Sequence, residues 1–565
     1  MLARRLMAIV TTVALSATAC GSQAAVTGPP ASAPATATQP AGPDASEATP
    51  SPVASPVVQS SAGLPSASAG VVVPLVVPLA DALATMEPRA VWQDFYDLTQ
   101  IPRTSHHEEQ ATAFLSAFGD GLGLETITDD VGNVVIRKPA TPGMEGRPGV
   151  VLQAHMDMVG QQTPDSTVDL LTDPISAVVE DGWVHAQGTT LGADDGIGVA
   201  IIMALLQAKD VAHGPIEALF TVNEEDGFTG INGLSPDVLR GRLYVNVDNE
   251  VEGQFLISSA GGVYVAIAAD YPEIATPSGM TGVQIDVGGL LGGHSGVDID
   301  KGRGSAHQIM ARLLIEAAAA QPPFDVRVAS LVGGDQRNAI PHTTTVIAAV
   351  PMDQHAAFEK FVADFSATVA TELAATDPGV TVTTKPVDLP ASVMDAASQT
   401  ALIGAVFDAP QGVYRMSDTV PGLVETSGNL GVLDIGDGTF TGSVYVRSAI
   451  DSERDAEALR FITVFEGAGA TTATAGAYSS WPPNPDSPLL ALMTQVYTDL
   501  FGTAPEATAV HAGLETSVAG VKYPDMDMIS IGPTLLDVHT PNERLEVASV
   551  PKVYDLIVAA LGEVK

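Results

Sequence analysis

The chain has 565 residues, 45% of them hydrophobic, so it is long enough for two or three packed domains and is not a disordered polymer. Its formal net charge of −41 excludes nucleic acid as a partner and disfavours anionic surfaces. Its one cysteine, Cys20, excludes an internal disulfide and a cysteine zinc cluster, which leaves His, Asp and Glu to hold any metal.

Arg4 and Arg5 precede a short apolar run, 6–15, and then Ser16-Ala17-Thr18-Ala19-Cys20. This predicts a signal segment over 1–19, too short to span a membrane. Small residues before the only cysteine resemble a bacterial lipobox, although Ala17 stands where Leu is usual. The expectation is an exported cell-surface lipoprotein, lipidated at Cys20 and touching the membrane only through that anchor. Ordinary secretion with an incidental cysteine is the alternative. Residues 20–80 are rich in Ala, Pro, Ser and Thr and read as a disordered tether.

Apolar residues recur at helical spacing over 89–99 and 107–118. Turn residues at 130–133 make 124–137 a hairpin. The apolar run 150–152 reads as a buried strand ending in His155-Met156-Asp157. Residues two apart on a strand face the same way, so His155 and Asp157 can address one site. Such a pair supplies a metal ligand and a carboxylate to orient it. Alone, it is more often structural.

A short strand at 183–186 leads into GTTLGADDG and a strongly apolar helix, 197–206. Asp194 therefore stands at a helix start, where the dipole favours a carboxylate. Strand 216–222 ends in Asn223-Glu224-Glu225-Asp226, and strand 243–247 ends in Asp248-Asn249-Glu250. Adjacent acids repel one another unless cations neutralise them. Alternating strands and helices predict an α/β fold, a mixed sheet with helices on both faces, whose sites lie beyond the strand ends. His155 and the acids recur at those ends.

Near Ala260-Gly261-Gly262 the pattern changes. Strands at 263–269 and 283–287 alternate like a sheet with one solvated face. The glycine-rich turn LLGGHSG carries His294. Helix 306–319, strands 326–332 and 345–350 around RNAIP, helix 358–373, strands 423–433 and 439–446, and helix 454–465 follow. This reads as an inserted α+β domain. The α/β pattern resumes with helix 489–500, HAGLE, strand 528–531, HTP and helix 547–561. The expected organisation is one domain of 88–262 and 476–565, interrupted by another at 263–475.

The motifs AHMDM, GADDGIG, NEED, VDNE, GGHSG and a late HTP, in this order, resemble the two-zinc metallopeptidases that include carnosinases, aminoacylases and glutamate carboxypeptidases. Within them, VLQAHMDMV, RNAIP, VETSGNLGV, HAGLE and YPDMDMISIGPT are most similar to the aminoacyl-histidine (Xaa-His) dipeptidases, from about residue 89 to 561. The resemblance implies a two-zinc exopeptidase-type catalytic domain interrupted by an α+β lid. It implies two divalent ions per chain, zinc, with manganese or cobalt acceptable to the same donors. His155 and Asp248 would hold one and Glu225 and His539 the other, with Asp194 bridging both. Asp157 would orient His155, and Glu224 would be the general base.

The chemistry follows from these residue types. Two such ions polarise a peptide carbonyl and lower the pKa of a shared water. A carboxylate then moves the water's proton to the leaving amine. Glu224 and Glu225 can both serve only if they leave regular strand alternation. By the same resemblance, His294 would steady the oxyanion from its own chain or a dimer partner's. Asn338 and Arg447 would grip the substrate backbone and its carboxylate, although Arg447 reads equally as a surface ion-pair residue. His511 and Glu515 lie in a shared motif without an assigned role; His106, His107, His185 and His213 read as structural.

The implied activity is hydrolysis of Xaa-His and related dipeptides, with short peptides as substrates. An N-acyl amino-acid amidohydrolase on the same metal core is the alternative. A non-catalytic peptide-binding lipoprotein fits the N-terminus equally well, but it needs no general base beside two metals. Monomer and homodimer both stay open, and an exported member departs from the mostly cytoplasmic habit of these dipeptidases.

Overall fold

Four strands, Val150–His155, Ile216–Thr221, Leu243–Asn246 and Asp527–Ser530, run parallel through the middle of an eight-stranded mixed sheet in a computed structural model that describes residues 76–565. They are apolar on both faces because both faces are covered. Val150, Leu152 and Ala154 pack toward helices Arg89–Thr99, Ala193–Gln207, Pro488–Phe501 and Val550–Glu563. Val151, between them, points to the opposite face, with Ile231, Val518 and Ala519. The hairpin Glu125–Thr128/Val134–Lys138 forms one side of this sheet. Asp129 Oδ1 sets its turn by accepting the N–H groups of Val131, Gly132 and Asn133 at 3.1, 3.0 and 2.9 Å.

The chain leaves this sheet through Gln254–Ser259, enters Gly261–Asp270 of a second sheet, and returns from that sheet through Thr471–Tyr478. The second sheet has nine strands, and the pairings along it are antiparallel. Its two halves join where Leu331–Gly333 pairs with Leu433–Ile435. Helices Ala306–Ala319, His355–Glu372, Ala396–Asp408 and Asp451–Gly467 bury its inner face. The fold is thus an α/β catalytic domain with a separate lid-like domain. Helix Ala396–Asp408 was not among the expected elements, yet its signal is in the sequence: Asp395 caps it by accepting from Ala397 N and Ser398 N.

A small sheet completes the site. Trp183–Ala186 pairs with Arg544–Glu546, which pairs with Leu535–Leu536. His539 is thereby carried on a turn beside the segment that enters helix Ala193–Gln207.

One consequence for stability lies in the lid. His307 is buried, with Nδ1 2.8 Å from Thr344 Oγ1. Burial pushes its pKa down to about 4. In the unfolded chain a histidine titrates near 6.5, so below that pH the unfolded state binds a proton that the native state refuses. The stabilising contribution is full above the unfolded pKa and is lost as pH falls toward the folded one, ~3 kcal/mol in all. Urea unfolding should therefore lose less stability in His307→Gln than in the parent between about pH 7 and about pH 4.5. Parallel profiles would remove His307 as a cause.

Candidate active site

The four parallel strands end along one edge, and the side chains beyond them converge. His155 closes the central strand and is 1% exposed. Its Nε2 lies 3.1 Å from Asp194 Oδ1 and 3.5 Å from Asp248 Oδ1, and its Nδ1 lies 3.3 Å from Asp157 Oδ1. The other oxygen of Asp194 meets His539 Nε2 at 3.0 Å, and His539 Nε2 also meets Glu225 Oε1 at 2.9 Å. One carboxylate therefore stands between two histidines that are 384 residues apart in sequence (539 − 155).

Glu224 and Glu225 follow a strand that ends at Thr221. Asn223 turns left-handed, φ +49°, and breaks the alternation. Asp157 then fixes both acids by their backbone. Its Oδ1 accepts Glu224 N–H at 3.0 Å, and its Oδ2 accepts Ser105 Oγ–H at 2.8 Å and Glu225 N–H at 3.4 Å. Glu108 Oε1 accepts Asn223 N–H at 3.0 Å.

Two sets of donor atoms lie within 4.8 Å of one another: His155 with Asp194 and Glu225, and His155 with Asp195 and Asp248. Among the described residues, no Lys or Arg forms an ion pair with Asp194, Glu225 or Asp248. Acids this crowded need positive charge, and a donor set of only oxygen and nitrogen suits divalent zinc, manganese or cobalt. The donors therefore fit two divalent ions; they do not choose the element.

The protein alone manages the repulsion by holding protons. Burial opposes charge on His539, but hydrogen bonds to Asp194 and Glu225 outweigh it and push its pKa up to about 12. For His155 too, burial is outweighed, by Asp248, Asp157 and Asp194, and its pKa rises well above the usual range. Burial would raise Asp194, but His155 and His539 hold it far below the carboxylate range. Burial pushes Glu225 up to about 7, with the charge of Asp194 adding to it, and raises Glu224 well above its ordinary value.

On the lid side, Arg447 is 4% exposed and stacks 4.1 Å over the Tyr445 ring. Its Nη2 lies 3.2 Å from His294 Nε2 of the same chain. The surface ion-pair alternative for Arg447 is thus corrected: the guanidinium is buried on an aromatic ring and pairs with no acid among the described residues. Asn338 is exposed, and its carbonyl accepts Ser295 N–H at 2.8 Å, which holds the His294 loop. His185 and His213 make local contacts, to Glu180 and to the Gly214 carbonyl. Cys20 lies outside the described residues.

Three residues escaped the sequence reading. Asp195 joins a donor set although only its neighbour Asp194 stood out. Arg103, 1% exposed, donates from Nη1 to the carbonyls of Met156 and Asp157, both at 2.9 Å, and from Nη2 to that of Gly192. A Cβ on Gly196 would collide with that guanidinium, which explains the second glycine of GADDG. Glu543 accepts four consecutive backbone N–H groups, Leu191 to Asp194, at 2.7, 2.9, 2.7 and 3.2 Å. Its only sequence signal is its position four residues after His539.

The model of peptidase family M20/M25/M40 matches residues 151–563. The chain is 36% identical over 482 residues to the cytosol non-specific dipeptidase of Escherichia coli (strain K12), covering 85% of this chain and 99% of that one. It is 39% identical to the aminoacylhistidine dipeptidase of Vibrio alginolyticus, whose crystal structure superposes with a TM-score of 0.76 over 86% of this chain and 98% of that one.

These relatives correct one expectation. The sequence pattern implied an exported lipoprotein, with the membrane as a partner through Cys20. The Escherichia coli relative, matched over nearly its whole length, is a cytosol enzyme, and this overturns the expectation. A short apolar run ending in small residues satisfies a signal pattern by composition alone, and this one stands outside the matched region.

Proposed function

Because the chain belongs to peptidase family M20/M25/M40 and is a metal-dependent dipeptidase, we propose that it cleaves dipeptides whose C-terminal residue is histidine, together with related pairs. The observation that carries this reading is the 39% identity to an aminoacylhistidine dipeptidase across 98% of that enzyme's length. The name of the Escherichia coli relative favours a broader range of dipeptides as the second reading. We take the catalytic domain as 88–262 with 476–565 and the lid as 263–475.

In this reading His155 and Asp248 would hold one ion, Glu225 and His539 the other, with Asp194 shared between them; zinc is the proposed element. When bound, such ions supply Lewis acidity to the peptide carbonyl and make water a nucleophile near neutral pH. Glu224 takes the proton of the attacking water and delivers it to the leaving amine. Asp157 orients His155 and anchors the Glu224 backbone. Arg447 has only donors to offer, so His294 Nε2 accepts from it and the imidazole proton sits on Nδ1. His294 would steady the oxyanion from this place in the lid. Burial, then the charges of Arg447 and His539, hold the His294 pKa down to about 4, so the ring stays neutral at working pH. Asn338 and the free edge of Arg447 receive the substrate backbone and its carboxylate.

The test is turnover of β-alanyl-histidine and a panel of dipeptides by purified protein, after chelation and again after adding back zinc, manganese or cobalt. Activity that disappears and returns with metal, highest on Xaa-His, supports the reading; equal rates across the panel favour the broader one. Turnover that survives complete chelation would overturn both. Arg447→Lys should raise KM for a dipeptide about tenfold or more, because one ammonium cannot reproduce a bidentate grip. It should change the hydrolysis of the matching dipeptide amide much less. Equal losses on acid and amide would remove the carboxylate role.

A further inference from the structure

The HAGLE segment, His511–Glu515, has no part in the chemistry above, yet it touches both halves of the site. At one end, Ala260, where the chain crosses into the lid, donates its N–H to the carbonyls of Val510 and Ala512 at 3.2 and 3.0 Å. The buried His511 ring then reaches the lid itself: Nε2 lies 2.7 Å from Ser427 Oγ. Ser427 is the cross-strand partner of Arg447 in the lid sheet. The His511 backbone meets the other lid group. A Cβ on Gly296 would lie 2.6 Å from the His511 carbonyl oxygen and 3.0 Å from His294 Cε1. Only a glycine lets the His294 loop rest on this backbone. At the far end, Glu515 Oε2 accepts from Gln153 Nε2 at 2.5 Å and from Thr221 Oγ1 at 2.6 Å. Those residues belong to the two strands that lead to His155 and to Asn223-Glu224-Glu225. Burial first, and then Arg447, hold the His511 ring neutral, with a pKa down to about 3, so it can sit near that guanidinium without a second charge.

We propose that His511 is a positioning residue that latches the lid: its bond to Ser427 sets where Arg447 and His294 stand over the metal-binding edge. Glu515, four residues on, fixes the latch to the strands that carry the metal donors. This rests on the reading of His294 as the group that steadies the oxyanion and of Arg447 as the one that grips the substrate carboxylate. The contact is between domains, and removing one hydroxyl or one ring leaves both cores untouched.

The test uses the full metal-loaded chain with Ser427→Ala, His511→Ala, the double variant and His511→Gln, which keeps a nitrogen at the Nε2 position. Ser427→Ala and His511→Ala should each lower kcat/KM for β-alanyl-histidine by about tenfold, because the shared bond is lost in both. The double variant should fall no further than the worse single one, and His511→Gln should recover to within about threefold. Zinc affinity by chelator competition should stay within about twofold, since the donors are not moved. Hydrogen exchange at residues 294–298 and 447–448 should quicken in Ser427→Ala, whatever the substrate. Multiplying effects in the double variant, or zinc affinity falling in step with turnover, would overturn the latch. If the parent turned over no dipeptide, the dipeptidase reading would fail by itself, and unchanged exchange in Ser427→Ala would still refute the latch.

Discussion

Glu224→Gln should lower kcat for the best dipeptide by about a thousandfold while leaving KM and zinc content near those of the parent. Glutamine keeps the shape and the backbone N–H that Asp157 accepts at 3.0 Å, so the donors around it stay in place. What it loses is the ability to take a proton. The carboxylate lies partly buried beside Glu225 and Asp248, and burial, then those like charges, already favour its proton-bound form. Glutamine is neutral without having to bind a proton on folding, so the metal-free variant should melt no lower than the metal-free parent. Steady-state kinetics, metal analysis and thermal melts check the three parts. A kcat within about threefold of the parent would end the general-base role; a loss of zinc together with kcat would mean that Glu224 holds metal instead.

The strands and the acids at their ends were legible because each signal is local. A short apolar run, 150–152, leading into His-x-Asp, or a strand ending in Asn-Glu-Glu, needs no knowledge of the rest of the chain. The crossing into the lid at Ala260–Gly262 was legible for the same reason: the pattern switches from continuous apolar runs to alternation. Arg103 and Glu543 were not legible. Arg103 acts on carbonyls 53 to 89 residues away and Glu543 on amides about 350 residues away, and backbone partners leave no mark in a sequence. Arg447 was half legible. Its strand was clear, but whether it faced water or the lid depended on Tyr445 and on the His294 loop, which reach it only once the sheet has formed. The N-terminal reading failed in the opposite direction: a local pattern was present, and its meaning depended on what the rest of the chain is related to.

Glu543→Gln should weaken zinc binding about 10- to 100-fold and destabilise the protein by ~2–4 kcal/mol. Over Leu191–Asp195 the chain approaches helix Ala193–Gln207 with non-helical backbone at Asp194 and Asp195, and Asp195 Oδ1 caps the helix proper by accepting Gly198 N–H at 3.2 Å. Glu543 holds the approach segment, its two oxygens taking the N–H groups of Leu191 and Gly192 on one side and of Ala193 and Asp194 on the other. Hydrogen bonds from backbone N–H groups to a carboxylate are strong, and here the carboxylate is 2% exposed, where the interaction is screened little. An amide keeps only one acceptor oxygen and turns an N–H₂ toward two backbone donors, so two buried N–H groups lose their partner. The buried Arg103 guanidinium also loses the strongest of the negative charges that support it. The loop that slackens is the one that places Asp194 between His155 and His539, so both ions should bind less tightly although no donor has changed. Chelator competition and urea unfolding with zinc held in excess separate the two effects. Zinc affinity unchanged beside a loss of stability would make Glu543 a brace of the loop alone, and no change in either would deny it any role in holding Asp194.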